Sequence, residues 1–211
     1  MICFTGVDGA GKTSHAKHLH KFLLEKGYSS RYVWAASRPI FIYPFLLFTR
    51  IFGYWKIVKK GAWTDPLENA PPKIRKKLGA VYRILLFIDF EITTFLKVWL
   101  PMLFTRVLIC DRYVYNLIME LALSDLYSAN FTKLILCASP APQRTFLADA
   151  PLHVLVHRRP DFTEENIGAK QNIYRKFAKI FNFEIINTSA QFEANQEYVR
   201  KEILFLLKEN R

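Results

Sequence analysis

Gly6-Val7-Asp8-Gly9-Ala10-Gly11-Lys12-Thr13 decides the reading of this 211-residue chain. The stretch matches G-x-x-x-x-G-K-[ST] and follows the apolar run Ile2-Cys3-Phe4-Thr5. From Thr13 to Lys26, Ala16, Leu19, Phe22 and Leu23 recur at helical spacing until Gly27 ends the run. A strand before the motif and a helix after it are the context the motif requires. At average residue frequencies such a match arises by chance in on the order of one per cent of chains this long, and the context lowers that figure further. Gly6, Gly9 and Gly11 let the backbone curl, so that successive N–H groups around Ala10 point inward at phosphate oxygens. Lys12 adds charge at the outer phosphates, and the hydroxyl of Thr13, next to Ser14, is placed to ligate Mg²⁺. The stretch therefore predicts a cradle for ATP.

Outward from the cradle, strands and helices alternate. Arg31–Ala36, Val107–Asp111, Thr145–Ala150 and Phe183–Asn187 read as further strands. Helices are expected from Lys73 to Leu100, where Pro101 should stop the run, and at 113–136, 164–181 and 190–208, with another starting at Pro151. Alternation of this kind implies one α/β domain over residues 1–211: a parallel sheet with helices on both faces and right-handed crossovers.

Thirty Lys and Arg against 18 Asp and Glu leave a net charge of +12, a surface suited to phosphates, nucleic acid or anionic lipid. No nucleic-acid recognition motif accompanies the basic cluster Lys73, Arg75, Lys76 and Lys77, so no nucleic-acid partner is expected. Cys3, Cys110 and Cys137 stand far apart; Cys3 and Cys110 lie in apolar runs and read as inert core thiols. A reducing, cytoplasmic setting with no secretory leader follows as the expectation. Aromatic residues concentrate at 41–63, but Pro44, Arg50 and Lys56 interrupt that segment before it reaches the length of a membrane span. It reads as a helical lobe packed on the body or on a second subunit, with peripheral membrane contact as the sharper alternative. His15, His18 and His20 read as surface or half-buried positions, and the His153/His157 pair as ordinary helix positions rather than a zinc pair.

The third strand ends in Asp111-Arg112-Tyr113. A GTPase would carry N-K-x-D, which is absent, and a hydrolytic motor would place a second carboxylate beside its metal-binding Asp. Arginine cannot act as a base, but it grips phosphate in a bidentate fork. Asp111 is thus expected to organise Mg²⁺ and its waters, and Arg112 to hold the phosphate of an acceptor. The combination favours phosphoryl transfer over hydrolysis.

With these residues in view, the chain resembles the thymidylate kinase family of nucleoside monophosphate kinases. The resemblance rests on 6–14 (GVDGAGKTS), 111–113 (DRY), 140–151 (PAPQRTFLADAP) and 183–189 (FEIINTS). It implies a P-loop NTPase three-layer sandwich with strand order 2-3-1-4-5, a lid near 157–168, ATP and Mg²⁺ as cofactors, a homodimer, and transfer to dTMP. It further implies that Asp8 accepts a hydrogen bond from the acceptor's sugar. Arg158 and Arg159 would be lid arginines that stabilise the transferring phosphoryl group, a role to which Ala10 in the loop leaves room.

Two departures bear on the acceptor. After the second strand the family's Arg-Glu-Pro-Gly is here Ser37-Arg38-Pro39-Ile40, so only Arg38 and Pro39 correspond. The family's Asp-Arg on the long helix is here Asp89-Phe90-Glu91. Arg83 is the candidate replacement, Phe87 or Phe90 the candidate stacking surface for a base, and Tyr113 sits next to Arg112. Other acceptors (dUMP, UMP, a nucleoside or another phosphorylated metabolite) stay open. So does a protein of another class, which would use nucleotide to regulate binding to membrane or nucleic acid.

Overall fold

The computed structural model describes residues 1–36, 40–55, 65–123, 126–189 and 191–209. Five strands, β1 (Ile2–Thr5), β2 (Ser30–Trp34), β3 (Val107–Asp111), β4 (Arg144–Asp149) and β5 (Glu184–Asn187), form one parallel sheet in the order β2-β3-β1-β4-β5. This is the order the family resemblance implied. The motif strand β1 is central, so both its faces are covered. Cys3 faces one core with Cys110 and Leu147, while Ile2 and Phe4 face the other with Ile109, Phe146 and Ile186. Period-two alternation in a doubly covered strand makes every residue of β1 and β3 apolar or buried.

One face is packed by α1 (Lys12–Glu25) and by α9 (Phe192–Glu209), through Ala16, Leu19, Leu23, Val199 and Ile203. His15 is part of this layer, fully buried, with its Nδ1 2.5 Å from the side-chain amide nitrogen of Gln196. Helical phase turns His15 inward beside Ala16 and Leu19, which corrects the expectation of a surface or half-buried position. Burial pushes its imidazole down to about 4.

The second face carries α3 (Pro72–Thr94), α5 (Val114–Ala122), α6 (Ala129–Ala138) and α8 (Glu164–Ile180), with the short α7 (Leu152–Arg158) leading into α8. Two expectations fail here for backbone reasons. The run 113–136 is two helices rather than one. The chain turns at Leu123 and restarts after Ser128, whose backbone is extended, in a stretch where Ser124, Asp125 and Ser128 are weak interior helix formers. Pro101, conversely, does not stop the long helix. Ahead of it the backbone widens into a π turn, Phe95–Trp99, in which the Leu100 N–H reaches back five residues to the Phe95 carbonyl. The wider turn accommodates the proline ring in α4 (Leu100–Met102), and the helix ends only after it.

The aromatic segment forms α2 (Ile42–Ile51), packed on α3 through Phe45 and Tyr82 with ring centroids 5.8 Å apart. Pro44 falls in its first turn, where its missing N–H costs nothing. The orphan donors at this helix start are satisfied from outside. The Asp89 carboxylate, buried on α3, accepts from Ile40 and Phe41 N–H at 2.9 Å and from Ile42 N–H at 3.0 Å. Asp89→Ala is expected to lose about 2 kcal/mol of stability, from one buried carboxylate serving three backbone donors at the helix start. Urea unfolding should show a lower midpoint at unchanged slope, and Asp89→Asn, which keeps one acceptor oxygen, should lose less.

Candidate active site

Gly6 leaves β1 with φ 135°, and a Cβ there would overlap the Ala148 carbonyl oxygen of β4, so the loop can pass the neighbouring strand only as glycine. The loop then turns through an Ala10 N–H to Val7 carbonyl bond of 3.1 Å and enters α1 at Lys12, behind Gly11 in the left-handed region. Ala10 is fully buried beneath the loop, whereas Thr13 and Ser14 are exposed at its mouth.

Lys12 is buried, and its Nζ donates to the Val7 carbonyl at 2.7 Å. Burial, and then the Arg112 guanidinium nearby, push its ammonium down to about 7 against the pull of Asp8 and Asp111. Thr13 Oγ1 donates to Asp111 Oδ2 at 2.5 Å, and the Tyr32 hydroxyl donates to the same oxygen at 2.9 Å. The other oxygen of Asp111 is buried with no hydrogen-bond partner. A hydroxyl and a carboxylate with one unengaged oxygen are hard donors of the kind Mg²⁺ takes alongside phosphate oxygens and water, so the residues present fit the ion. Among the described residues no group of three or more His, Cys, Asp and Glu could hold a metal, His153 and His157 included.

Arg112 has φ 64°, a left-handed conformation uncommon for a side-chain-bearing residue. Two contacts hold it: its N–H donates to the Phe4 carbonyl at 2.9 Å, and its guanidinium pairs with Asp8. Burial would raise the Asp8 carboxyl, but Arg112 and Lys12 outweigh it and hold the group below the usual carboxylate range. On its other oxygen Asp8 meets Lys170 Nζ of α8 at 3.9 Å. The carboxylate assigned by resemblance to an acceptor sugar therefore serves two cations of this chain.

Arg158 and Arg159 end α7 above the loop. Arg158 donates to the Gly9 carbonyl at 3.3 Å and to the Thr188 carbonyl at 2.9 Å, tying the loop to the end of β5. Arg159 is clamped by Asp161 at 2.6 and 2.8 Å and stacks on Phe162 at 4.4 Å. Its stem lies so close to Gly9 (φ 84°) that a Cβ there would sit 2.8 Å from it.

The expected acceptor residues are not all gathered here. Phe90 and Tyr113 are each 1 % exposed and pack on one another with centroids 6.3 Å apart, so neither turns a ring face outward for a base. Asp89 is occupied at the start of α2. Phe87, half-buried, packs on Phe131. Arg83 reaches the Leu126 carbonyl at 3.4 Å on the α6 side. Arg38 lies outside the described residues. Lys170 was missed by sequence reasoning, although its phase with Ile167 and Tyr174 puts a lysine on the buried face of a helix, which is an available signal. Tyr32, on a strand of which only Val33 is fully buried, gave no comparable signal. Behind Lys170, Tyr174 donates to Asn116 at 2.7 Å and Asn116 to Glu120 at 3.1 Å, and burial raises the Glu120 carboxyl.

Sheet order, loop and the Thr13–Asp111 pair define the chain as an α/β protein of the P-loop kinase fold. No protein-family profile matches it. Over 216 residues, 99% of this chain and 97% of the other, it is 25% identical to a protein of Sulfurisphaera tokodaii named "Probable thymidylate kinase", which supports a divergent relationship to such kinases.

The lowered Lys12 makes a signed prediction. Above about pH 7 the free protein has largely lost this proton, while a triphosphate favours the charged ammonium. ATP binding at about pH 8.5 should therefore take up protons, and at about pH 6 should not. Calorimetry in buffers of different ionisation enthalpy measures the uptake, which Lys12→Met should abolish.

Proposed function

We propose that this chain transfers the γ-phosphoryl group of ATP to a nucleoside monophosphate, with dTMP as the first candidate acceptor. The observation that carries the reading is the corner at the end of β3. There Asp111 bonds the loop hydroxyl, and the next residue, Arg112, is turned by its left-handed backbone into a cluster with Lys12, Asp8 and Lys170. A site that only hydrolysed ATP would need a base beside Asp111; this one offers a phosphate-gripping cation instead.

The work of the residues is positional and electrostatic. Loop amides and Lys12 hold the donor phosphates, and Asp8 fixes the Arg112 guanidinium where an acceptor phosphate would approach. Thr13 and Asp111 would hold Mg²⁺, which when bound would neutralise charge on the donor phosphates. Arg158 and Arg159 lie on the loop's outer side, already hydrogen-bonded to protein acceptors, and exchange of those bonds for phosphoryl oxygens is the step assigned to the lid. With Asp89 and Phe90 committed to packing, Lys170 is the cation best placed to stand in for the arginine that the long helix lacks. The choice of dTMP rests on the resemblance and on the name of the similar protein.

The deciding experiment is ADP release with Mg-ATP against a panel of deoxy- and ribonucleoside monophosphates. Turnover with one acceptor is expected, falling by about a hundredfold or more in Arg112→Ala and in Lys12→Met. ATP binding without acceptor-dependent ADP across the panel would remove the nucleotide-kinase reading. Lys170→Met should raise KM for the acceptor more than KM for ATP; an effect confined to ATP would place Lys170 on the donor side.

A further inference from the structure

The contact between α5 and α8 holds a polar relay that has no part in gripping phosphate. Tyr174, buried on α8, donates its hydroxyl to Asn116 Oδ1 at 2.7 Å. Asn116, buried on α5, donates its amide to Glu120 Oε1 at 3.1 Å. Asn116 and Glu120 stand four residues apart on one face of α5, while Leu117, Ile118 and Leu121 pack into the apolar layer. Polar groups in such a layer are costly unless they are hydrogen-bonded, and the hydroxyl and the amide both are. The relay ends on a half-buried carboxylate that is engaged on one side only. Among the described residues no hydrogen bond or ion pair reaches Glu120 Oε2.

Glu120 stands between the phosphate-gripping cations and α3. Burial raises its carboxyl, and Lys170 and then Arg112 pull against that; burial and then Glu120 raise the Tyr82 hydroxyl of α3. With Arg112 and Lys170 on the acceptor's phosphate, the sugar joined to that phosphate comes within reach of the groups that neighbour both cations. Two carboxylates do so. Asp8 has one oxygen on Arg112 and the other on Lys170, whereas Glu120 has an oxygen open. A sugar offers hydroxyl donors, and an ionised carboxylate is the strongest acceptor for them. The 3′-hydroxyl sits on the carbon next to the one that bears the 5′ arm, so it is the sugar hydroxyl nearest the phosphate, and deoxy and ribo acceptors share it.

We propose that Glu120 accepts a hydrogen bond from the 3′-hydroxyl of the acceptor sugar and so selects acceptors that carry it, the part that the resemblance gave to Asp8. Glu120 has this role only if the nucleotide-kinase reading holds, and a pair of acceptors separates the two: dTMP and its 3′-deoxy analogue, or the same pair on whichever base the panel selects. In the unaltered protein, loss of the hydroxyl should lower kcat/KM by about tenfold or more. In Glu120→Leu the hydroxyl-bearing acceptor should fall to the level of its analogue, leaving less than about a twofold difference, with KM for ATP unchanged. Glu120→Gln keeps the shape and the bond from Asn116 but turns an amide N–H to the sugar. It should shrink the penalty likewise, and it carries the test if the leucine variant does not fold. Asp8→Asn, slower with both acceptors, should keep the full penalty. A penalty undiminished in both Glu120 variants, or one that disappears in Asp8→Asn instead, overturns the role of Glu120 and leaves the kinase reading in place. Equal use of the two acceptors by the unaltered protein does the same. Absence of turnover with every monophosphate removes the kinase reading, and the role of Glu120 with it.

Discussion

Asp8 sits between Arg112 and Lys170, with Lys12 close by, and the site's geometry depends on that single carboxylate. Three cations converging at the end of a sheet repel one another, and partial burial strengthens the repulsion because little water screens it. Asp8 offsets it and also fixes where Arg112 and Lys170 point, while Lys12 is held by the Val7 carbonyl. Arg112 is drawn across the loop despite an unfavourable backbone angle, and Lys170 is drawn in from a helix distant in sequence. Asp111, one residue before Arg112, is left with an oxygen for other work. The arrangement gathers cations where phosphate would relieve their repulsion, and Lys12 is lowered first by burial and then by the nearby Arg112.

Packing explains why the loop can hold that cluster. β1 lies between β3 and β4, so the loop that leaves it has a strand end on either side. β3 brings Asp111 to Thr13, and β4 presses its Ala148 carbonyl against Gly6. From the end of β5, Thr188 receives Arg158, which also holds Gly9. The parallel order thus converts five strand ends into one rim, and each part of the loop is held by a different strand.

The long helix shows how one sequence position can be turned to a new use. Where the resemblance would place an acceptor-binding Asp-Arg, this chain has a carboxylate that closes the start of α2 and a phenylalanine buried on Tyr113. The cation that reaches Asp8 comes instead from the opposite side, from Lys170 on α8. The outward side of the same helix stays apolar, and the π turn that carries it past Pro101 extends that apolar surface instead of ending it.

The sequence by itself determined the cradle, the alternation of strands and helices, and the place of Asp111-Arg112 at the end of a buried strand beside the loop. These features are local: a glycine pattern fixes backbone freedom, apolar periodicity fixes which face is buried, and an arginine after a strand cannot be a base. Tertiary structure decided what depends on partners distant in the chain. Asp89 is separated from Ile40 by 49 positions, and Lys170 from Asp8 by far more, so no spacing rule linked them. The break near Leu123 and the passage through Pro101 were decided likewise, because a weak helix former or a proline interrupts a helix only if packing offers no alternative. The inward turn of His15 was open to the period of its own helix, but its contact with Gln196 came only from the fold.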